Sequence, residues 1–263
     1  MIKRYIFLKI LCALILTGAF AITIQAANSS VIHWGLHYEK PGEVPIGNAT
    51  SEYLKTYNSY FYVSPEGNEK MLFLTFDAGY ENGYTEKILD TLKENNIPAA
   101  FFLVGTYLQN NPELIKRMVD EGHVIGNHSM GHANMTKKSA EEFLAELKKF
   151  ESVYESIIGF EMPKLYRPPE GIFNENNLII ASENGYETVL WSATYADWDN
   201  KNQPTKEQAF SKLLPRLHPG AILLLHSTGA TNAEILHDFI AECRKMGYEF
   251  GSLADSFWNP RPW

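Results

Sequence analysis

Apolar runs alternate with amphipathic segments along most of the chain. The runs are Met71–Phe76, Ala99–Val104, His123–Ile125, Lys164–Tyr166, Thr188–Trp191, Ala221–Leu225 and Tyr248–Gly251. They are nearly continuous rather than alternating, as expected of parallel strands covered on both faces. Between them, Thr85–Asn95, Pro112–Glu121, Ala140–Ile158 and Asn232–Met246 carry the period of amphipathic helices. Strand–helix repetition of this kind predicts an α/β fold with a parallel sheet, open or closed into a barrel. Val31–Gly67, which contains Pro41, Pro45 and Pro65, keeps no sustained period and reads as an N-terminal arm packed on the domain.

The first residues read differently. Lys3, Arg4 and Lys9 precede the uncharged apolar stretch Ile10–Ile24, and Ala26 and Ala27 offer small residues for cleavage. That is the pattern of a secretory signal peptide. A retained membrane anchor is the alternative, but the stretch is shorter than the roughly 20 residues a span needs. The expected division is a signal peptide over 1–26, an arm over 27–68 and a catalytic domain over 69–258.

Removing residues 1–26 leaves 237 of 263 residues and takes the net charge from −8 to −11. An acidic protein of this size is enough for one large α/β domain, and its charge gives no support to nucleic-acid or anionic-membrane binding. Only Cys243 would remain, so no internal disulfide is expected. An exported protein with one unpaired thiol fits a bacterial cell-surface or spore-envelope setting.

Four strand ends carry the candidate chemistry: TFDAG at Thr75–Gly79, HSMGH at His128–His132, RPPEG at Arg167–Gly171 and LLLHS at Leu223–Ser227. Parallel α/β folds place their reactive groups at the carboxyl ends of strands. His128 and His132, four apart, would share one face of a helical turn and could hold one metal ion, though two solvated loop histidines have the same spacing. Asp77 is either a helix cap or a general base toward a metal-activated water. Arg167, stiffened by two following prolines, could orient that carboxylate or form a surface ion pair. His226 is a candidate general acid with Asp197 as its carboxylate partner, or a packed core histidine. Trp198 and Tyr195 could wall a sugar-stacking groove or simply pack.

Together these stretches resemble the NodB-type polysaccharide deacetylases, carbohydrate esterase family 4. Five motifs occur in the family's order, the fourth being WSATYADW at Trp191–Trp198. The resemblance covers about Met71 to Phe257 and implies a distorted (β/α) barrel. It also implies a role for each matching position: Asp77 as base, His128 and His132 as ligands of a divalent metal ion (zinc as the first expectation), and Arg167 as the residue that orients the base. His226 matches the acid with Asp197 as its tether, Trp198 matches the substrate groove, and the backbone amide at Glu170 matches the oxyanion donor. Two positions depart from the family pattern. Ala78 stands where a second aspartate supplies the third metal ligand, and Thr194 stands where the fourth motif commonly has an earlier aspartate.

The TFDAG variant resembles the muramic acid deacetylases associated with δ-lactam in spore-cortex peptidoglycan. The implied reaction is N-deacetylation of N-acetylmuramic acid in glycan strands freed of peptide by an amidase, by a monomeric enzyme. Deacetylation of N-acetylglucosamine and an inactive glycan-binding relative are the alternatives. Ala78 is expected to leave room for the lactyl carboxylate of muramic acid, with water or a nearby side chain such as Asn82 taking the place of the missing metal ligand.

Overall fold

The computed structural model describes residues 30–65 and 69–257. The expected signal segment, residues 1–26, lies outside the described residues.

Eight parallel strands lie side by side in the order Ala193–Thr194, Ala221–His226, Met71–Ala78, Ala99–Leu103, Val124–Asn127, Leu165–Tyr166, Glu187–Val189 and Ser59–Tyr60. A ninth, Glu249–Phe250, pairs with the start of Met71–Ala78. Glu187–Val189 and Ala193–Thr194 stand near opposite ends of this order, yet only Leu190, Trp191 and Ser192 separate them in the chain. In a flat sheet those two strands would lie roughly 29 Å apart, six inter-strand spacings. The four Cα steps that connect them reach at most about 14 Å. The sheet is therefore curled on itself into a half-barrel.

Curling gives the sheet an inside and an outside, and the side chains of Met71–Ala78 divide between them. Leu72, Leu74, Phe76 and Ala78 join the large apolar cluster with helix residues such as Ile88, Leu92 and Ile240. Phe73 packs with Ala100, Phe102, Leu165, Val189 and Ile222 in a separate cluster. With both faces buried, the strands read as unbroken apolar runs. Thr75 and Asp77 share the inner face with Phe73, so the only polar positions of this strand point into the barrel.

The helices follow local signals. Ala140–Ile158 starts with a capping box between Ser139 and Glu142 and stops at Gly159, which is left-handed at φ 91°. Thr85–Asn95 begins after the Glu81 carboxylate, whose Oε1 accepts from the amides of Gly83, Tyr84 and Thr85. Asp77 is therefore not the cap of this helix. Among the described residues, no helix is long and apolar enough to cross a membrane.

The arm takes part in the sheet. Ser59–Tyr60 is its last strand, and Ile32–His33 pairs antiparallel with Ile172–Phe173. Trp34 packs with Phe61, Phe173 and Leu190, and its Nε1 donates to the Trp191 carbonyl at 3.0 Å. The arm thus braces the segment that closes the barrel. At the other end of this contact, Val63 N–H donates to Gly220 O at 2.9 Å. Gly220 has φ +81°, and a Cβ there would lie 1.8 Å from the Val63 carbonyl oxygen. Gly220→Ala should therefore cost at least about 2 kcal/mol of unfolding free energy in a denaturant titration, through strained backbone and a clash with backbone. A change within about 0.5 kcal/mol, the range of neutral surface substitutions, would contradict the close approach.

Candidate active site

Asp77 leaves the end of its strand on the inner face and is 5% exposed. Its Oδ1 lies 2.6 Å from Nη1 of Arg167, a side chain with no exposed surface. Arg167 crosses the barrel interior. Nη1 also donates to Thr75 Oγ1 at 2.9 Å, Nε to Val189 O at 2.9 Å and Nη2 to Leu190 O at 3.2 Å. The ring of Phe102 lies 4.0 Å from its guanidinium carbon. Burial pulls the Arg167 pKa below the usual arginine value, while the Asp77 carboxylate opposes it. A buried charge needs this kind of saturation, since an unpaired one costs several kcal/mol. Asp77 is thereby fixed in orientation, with Oδ2 turned to the site.

Oδ2 of Asp77 faces Nε2 of His128 at 3.6 Å. His128 is 4% exposed, and burial depresses its pKa to about 4 despite the neighbouring Asp77. Its Nδ1 lies 2.8 Å from the Arg167 carbonyl oxygen, which can only accept. The proton therefore resides on Nδ1, and Nε2 keeps a free lone pair. His132 brings its ring to within 5.0 Å of the His128 ring. The expectation of a helical turn is corrected here: residues 128–132 form a loop in which Ser129 (φ 65°) and His132 (φ 54°) are both left-handed. Side chains hold these turns, Ser129 N–H donating to Asn127 Oδ1 and His132 N–H to Ser129 Oγ.

A neutral imidazole with its lone pair presented, a second imidazole beside it and an adjacent carboxylate suit a divalent ion. Among the described residues, no group of three or more His, Cys, Asp or Glu forms a ligand set. Asn82 Nδ2 donates to Thr228 O at 2.9 Å. Ala78 is 3% exposed in the apolar layer between sheet and helices, because strand alternation sends position 77 inward and position 78 outward. Ala78 is not among the residues that line the cavity.

His226 ends the strand beside Asp77, the two residues being in register. Its Nδ1 lies 2.8 Å from Asp197 Oδ1, and its backbone N–H donates to Asp197 Oδ2. Burial disfavours the charged ring, but the charge and hydrogen bond of Asp197, with the charge of Asp77, outweigh it and raise the His226 pKa. Asp197 is fully buried and is itself held by Nδ2 of Asn232 at 2.5 Å. With Nδ1 bound to a carboxylate, Nε2 is the nitrogen left to exchange a proton with a ligand. Sequence reasoning missed two supports. Thr75 was visible as the inward polar position two before Asp77, whereas Asn232, in the first turn of Ala230–Lys245, carried no local signal.

A cavity of about 1130 Å³ joins these groups, with Asp77, His128, His132 and His226 in its wall. Trp198 stands on it with 67% of its surface exposed. Tyr195 is 6% exposed and its hydroxyl donates to Asn232 Oδ1 at 2.5 Å, so it positions the Asp197–Asn232 pair rather than offering a sugar-stacking face. Glu170 is exposed at the cavity with φ 56°. Three of the five described non-glycine residues at positive φ (Ser129, His132 and Glu170) thus lie in this site. Strain of about 1–3 kcal/mol per residue is tolerated where the surroundings over-determine the backbone.

A carboxylate bound to a buried arginine, two neighbouring imidazoles and a carboxylate-tethered histidine meet at the mouth of a parallel half-barrel. The polysaccharide deacetylase family matches residues 64–189. The chain is 38% identical, over 94% of its own length and 94% of the relative's, to the peptidoglycan-N-acetylmuramic acid deacetylase PdaA of Bacillus subtilis. The solved structure of that protein, described as a family 4 carbohydrate esterase, superposes with a TM-score of 0.82 at 39% identity, covering 87% of this chain and 97% of that one. A peptidoglycan-N-acetylglucosamine deacetylase of Bacillus cereus is 34% identical over 72% of this chain and 69% of its own. The chain belongs to the polysaccharide deacetylases of carbohydrate esterase family 4, and it is an enzyme of that class.

The Asp197 carboxylate is the leading influence that raises the His226 pKa. NMR titration of the His226 ring should find it above the ordinary histidine value, and Asp197→Asn should lower it. An unchanged titration in the variant would show that Asp197 does not tune the acid.

Proposed function

We propose that the protein hydrolyses the N-acetyl group of N-acetylmuramic acid in peptidoglycan, in glycan strands already stripped of peptide. The observation that carries this reading is the near full-length similarity to the N-acetylmuramic acid deacetylase of Bacillus subtilis, at 38% identity over 94% of both chains. A second reading, hydrolysis of N-acetylglucosamine, draws on the Bacillus cereus relative, which spans 72% of this chain.

His128 and His132 would hold the divalent ion, with zinc as the first expectation given two imidazole ligands. When bound, such an ion would polarise the acetamide carbonyl and acidify a water beside it. Asp77 takes the proton of the attacking water, its carboxylate held in orientation by Arg167 at 2.6 Å. The backbone amide at Glu170 faces the developing oxyanion, a role that its held left-handed conformation suits. His226 gives its Nε2 proton to the departing nitrogen, and Asp197 stabilises the imidazolium before transfer. The freed amine then lies next to the lactyl carboxylate of the same sugar, the arrangement from which a δ-lactam closes. Activity of this kind belongs outside the cytoplasm, in the wall or spore envelope, in line with the apolar leader.

The pH dependence follows in sign. A raised His226 pKa keeps the acid form present below that pKa and loses it as pH rises through it. The alkaline limb of kcat should therefore move to lower pH in Asp197→Asn.

Amidase-treated peptidoglycan incubated with the protein and a divalent ion should yield strands that mass spectrometry finds deacetylated at muramic acid. Asp77→Asn should abolish acetate release while leaving the circular dichroism unchanged. Deacetylation confined to glucosamine would overturn the muramic acid reading, and full activity of Asp77→Asn would overturn the base assignment.

A further inference from the structure

The cavity wall contains two cations for which the mechanism has no use, Lys212 and Arg216. A smaller hollow of about 260 Å³ beside Tyr38–Pro41 shares Ser211, Lys212 and Arg216 with the main cavity. The two cations therefore stand where the main cavity and this hollow adjoin.

Arg216 is held in place. Nη1 donates to the Thr194 carbonyl, and the guanidinium carbon lies 4.2 Å from the centre of the Tyr38 ring. Thr194 is in turn fixed by its strand partner, with Oγ1 donating to Leu224 O at 2.9 Å. Leu224 is two residues before His226, so ordinary strand spacings put the Thr194 backbone about 8 Å from that of His226. The cation is thus anchored beside the acid side of the site.

Its charge is not neutralised. Arg117 pairs with Asp90 and Glu121, and Arg167 with Asp77. Among the described residues, no carboxylate forms an ion pair with Arg216 or Lys212, in a protein whose net charge is −8. A guanidinium has five N–H donors, and only one of those on Arg216 has a described protein acceptor.

We propose that Arg216, with Lys212 beside it, binds the lactyl carboxylate of muramic acid and sets the choice between muramic acid and glucosamine. The inference rests on the muramic acid reading above. The two sugars present the same acetamide to Asp77, His128 and His226, so those residues cannot tell them apart. They differ in the lactyl ether, whose carboxylate is anionic only when no peptide is attached. A fixed guanidinium recognises a carboxylate through paired, charge-assisted hydrogen bonds, which an uncharged amide linkage cannot match. Discrimination thus lies with Arg216 rather than with Ala78, and the same contact favours peptide-free strands.

The test uses the full chain and two peptide-free glycans, one native and one with its lactyl carboxylates reduced to alcohols. Binding by calorimetry and acetate release are both measured for the wild type, Arg216→Gln, Arg216→Lys and Lys212→Gln. The wild type should favour the native glycan by about 10- to 100-fold, the range of a charge-assisted contact. Arg216→Gln should erase that preference by losing the native glycan alone, Arg216→Lys should keep part of it, and Lys212→Gln should weaken it. Equal losses on both glycans, or a wild type indifferent to the carboxylate, would overturn the proposal. A carboxylate preference in binding without acetate release from muramic acid would support the carboxylate seat and overturn the hydrolytic reading instead.

Discussion

The buried guanidinium of Arg167 is the constraint on which the rest of the structure depends. Its charge sits inside a half-barrel with no exposed surface, and it is tolerated because every direction offers an acceptor or a ring. The acceptors come from Met71–Ala78 on one side and from Val189 and Leu190 on the other. Those two segments lie on opposite walls of the curled sheet, so the same side chain that orients the base also ties the barrel across its interior. The Arg167 carbonyl then fixes the tautomer of His128. One residue therefore connects the closure of the fold, the orientation of Asp77 and the lone pair of the first imidazole.

The acid side is built independently and joins the base side through strand register. His226 and Asp77 are paired positions on neighbouring strands, which brings the two side chains together without any loop having to place them. Asp197 reaches His226 from the loop after Ala193–Thr194, and Asn232 and Tyr195 hold that carboxylate from behind. Burial lowers the pKa of His128, whereas carboxylate contact raises that of His226. Opposite environments thus give the two histidines opposite proton affinities, as the proposed roles of ligand and proton donor require.

Much of this was legible in the chain because parallel strands announce themselves as unbroken apolar runs and end at their reactive groups. Asp77, His128 and His226 were readable for that reason, and Ala140–Ile158 was readable from its period and caps. What escaped notice was short or non-local. Ser59–Tyr60 and Ala193–Thr194 have two residues each, too few to show a period, yet Ala193–Thr194 begins the sheet and Ser59–Tyr60 ends it. The four-residue spacing of the histidines suggested a helix, but two left-handed residues bring the rings together instead. Ala78 and Thr194 drew attention as departures from the family motif, while Arg216 acquires meaning only once the fold places it beside Thr194 in the cavity wall.

The central claim is that Arg167 serves closure and catalysis at once, and Arg167→Lys tests it most directly. A lysine keeps the charge but lacks the planar fork that satisfies Asp77, Thr75, Val189 and Leu190 together. Acetate release and unfolding free energy measured on the same preparation should fall together, stability by about 3 kcal/mol, as for other broken buried ion pairs. The kcat should fall by about 100-fold or more, the contribution of a positioned general base. A variant that keeps wild-type stability and kcat would contradict the account.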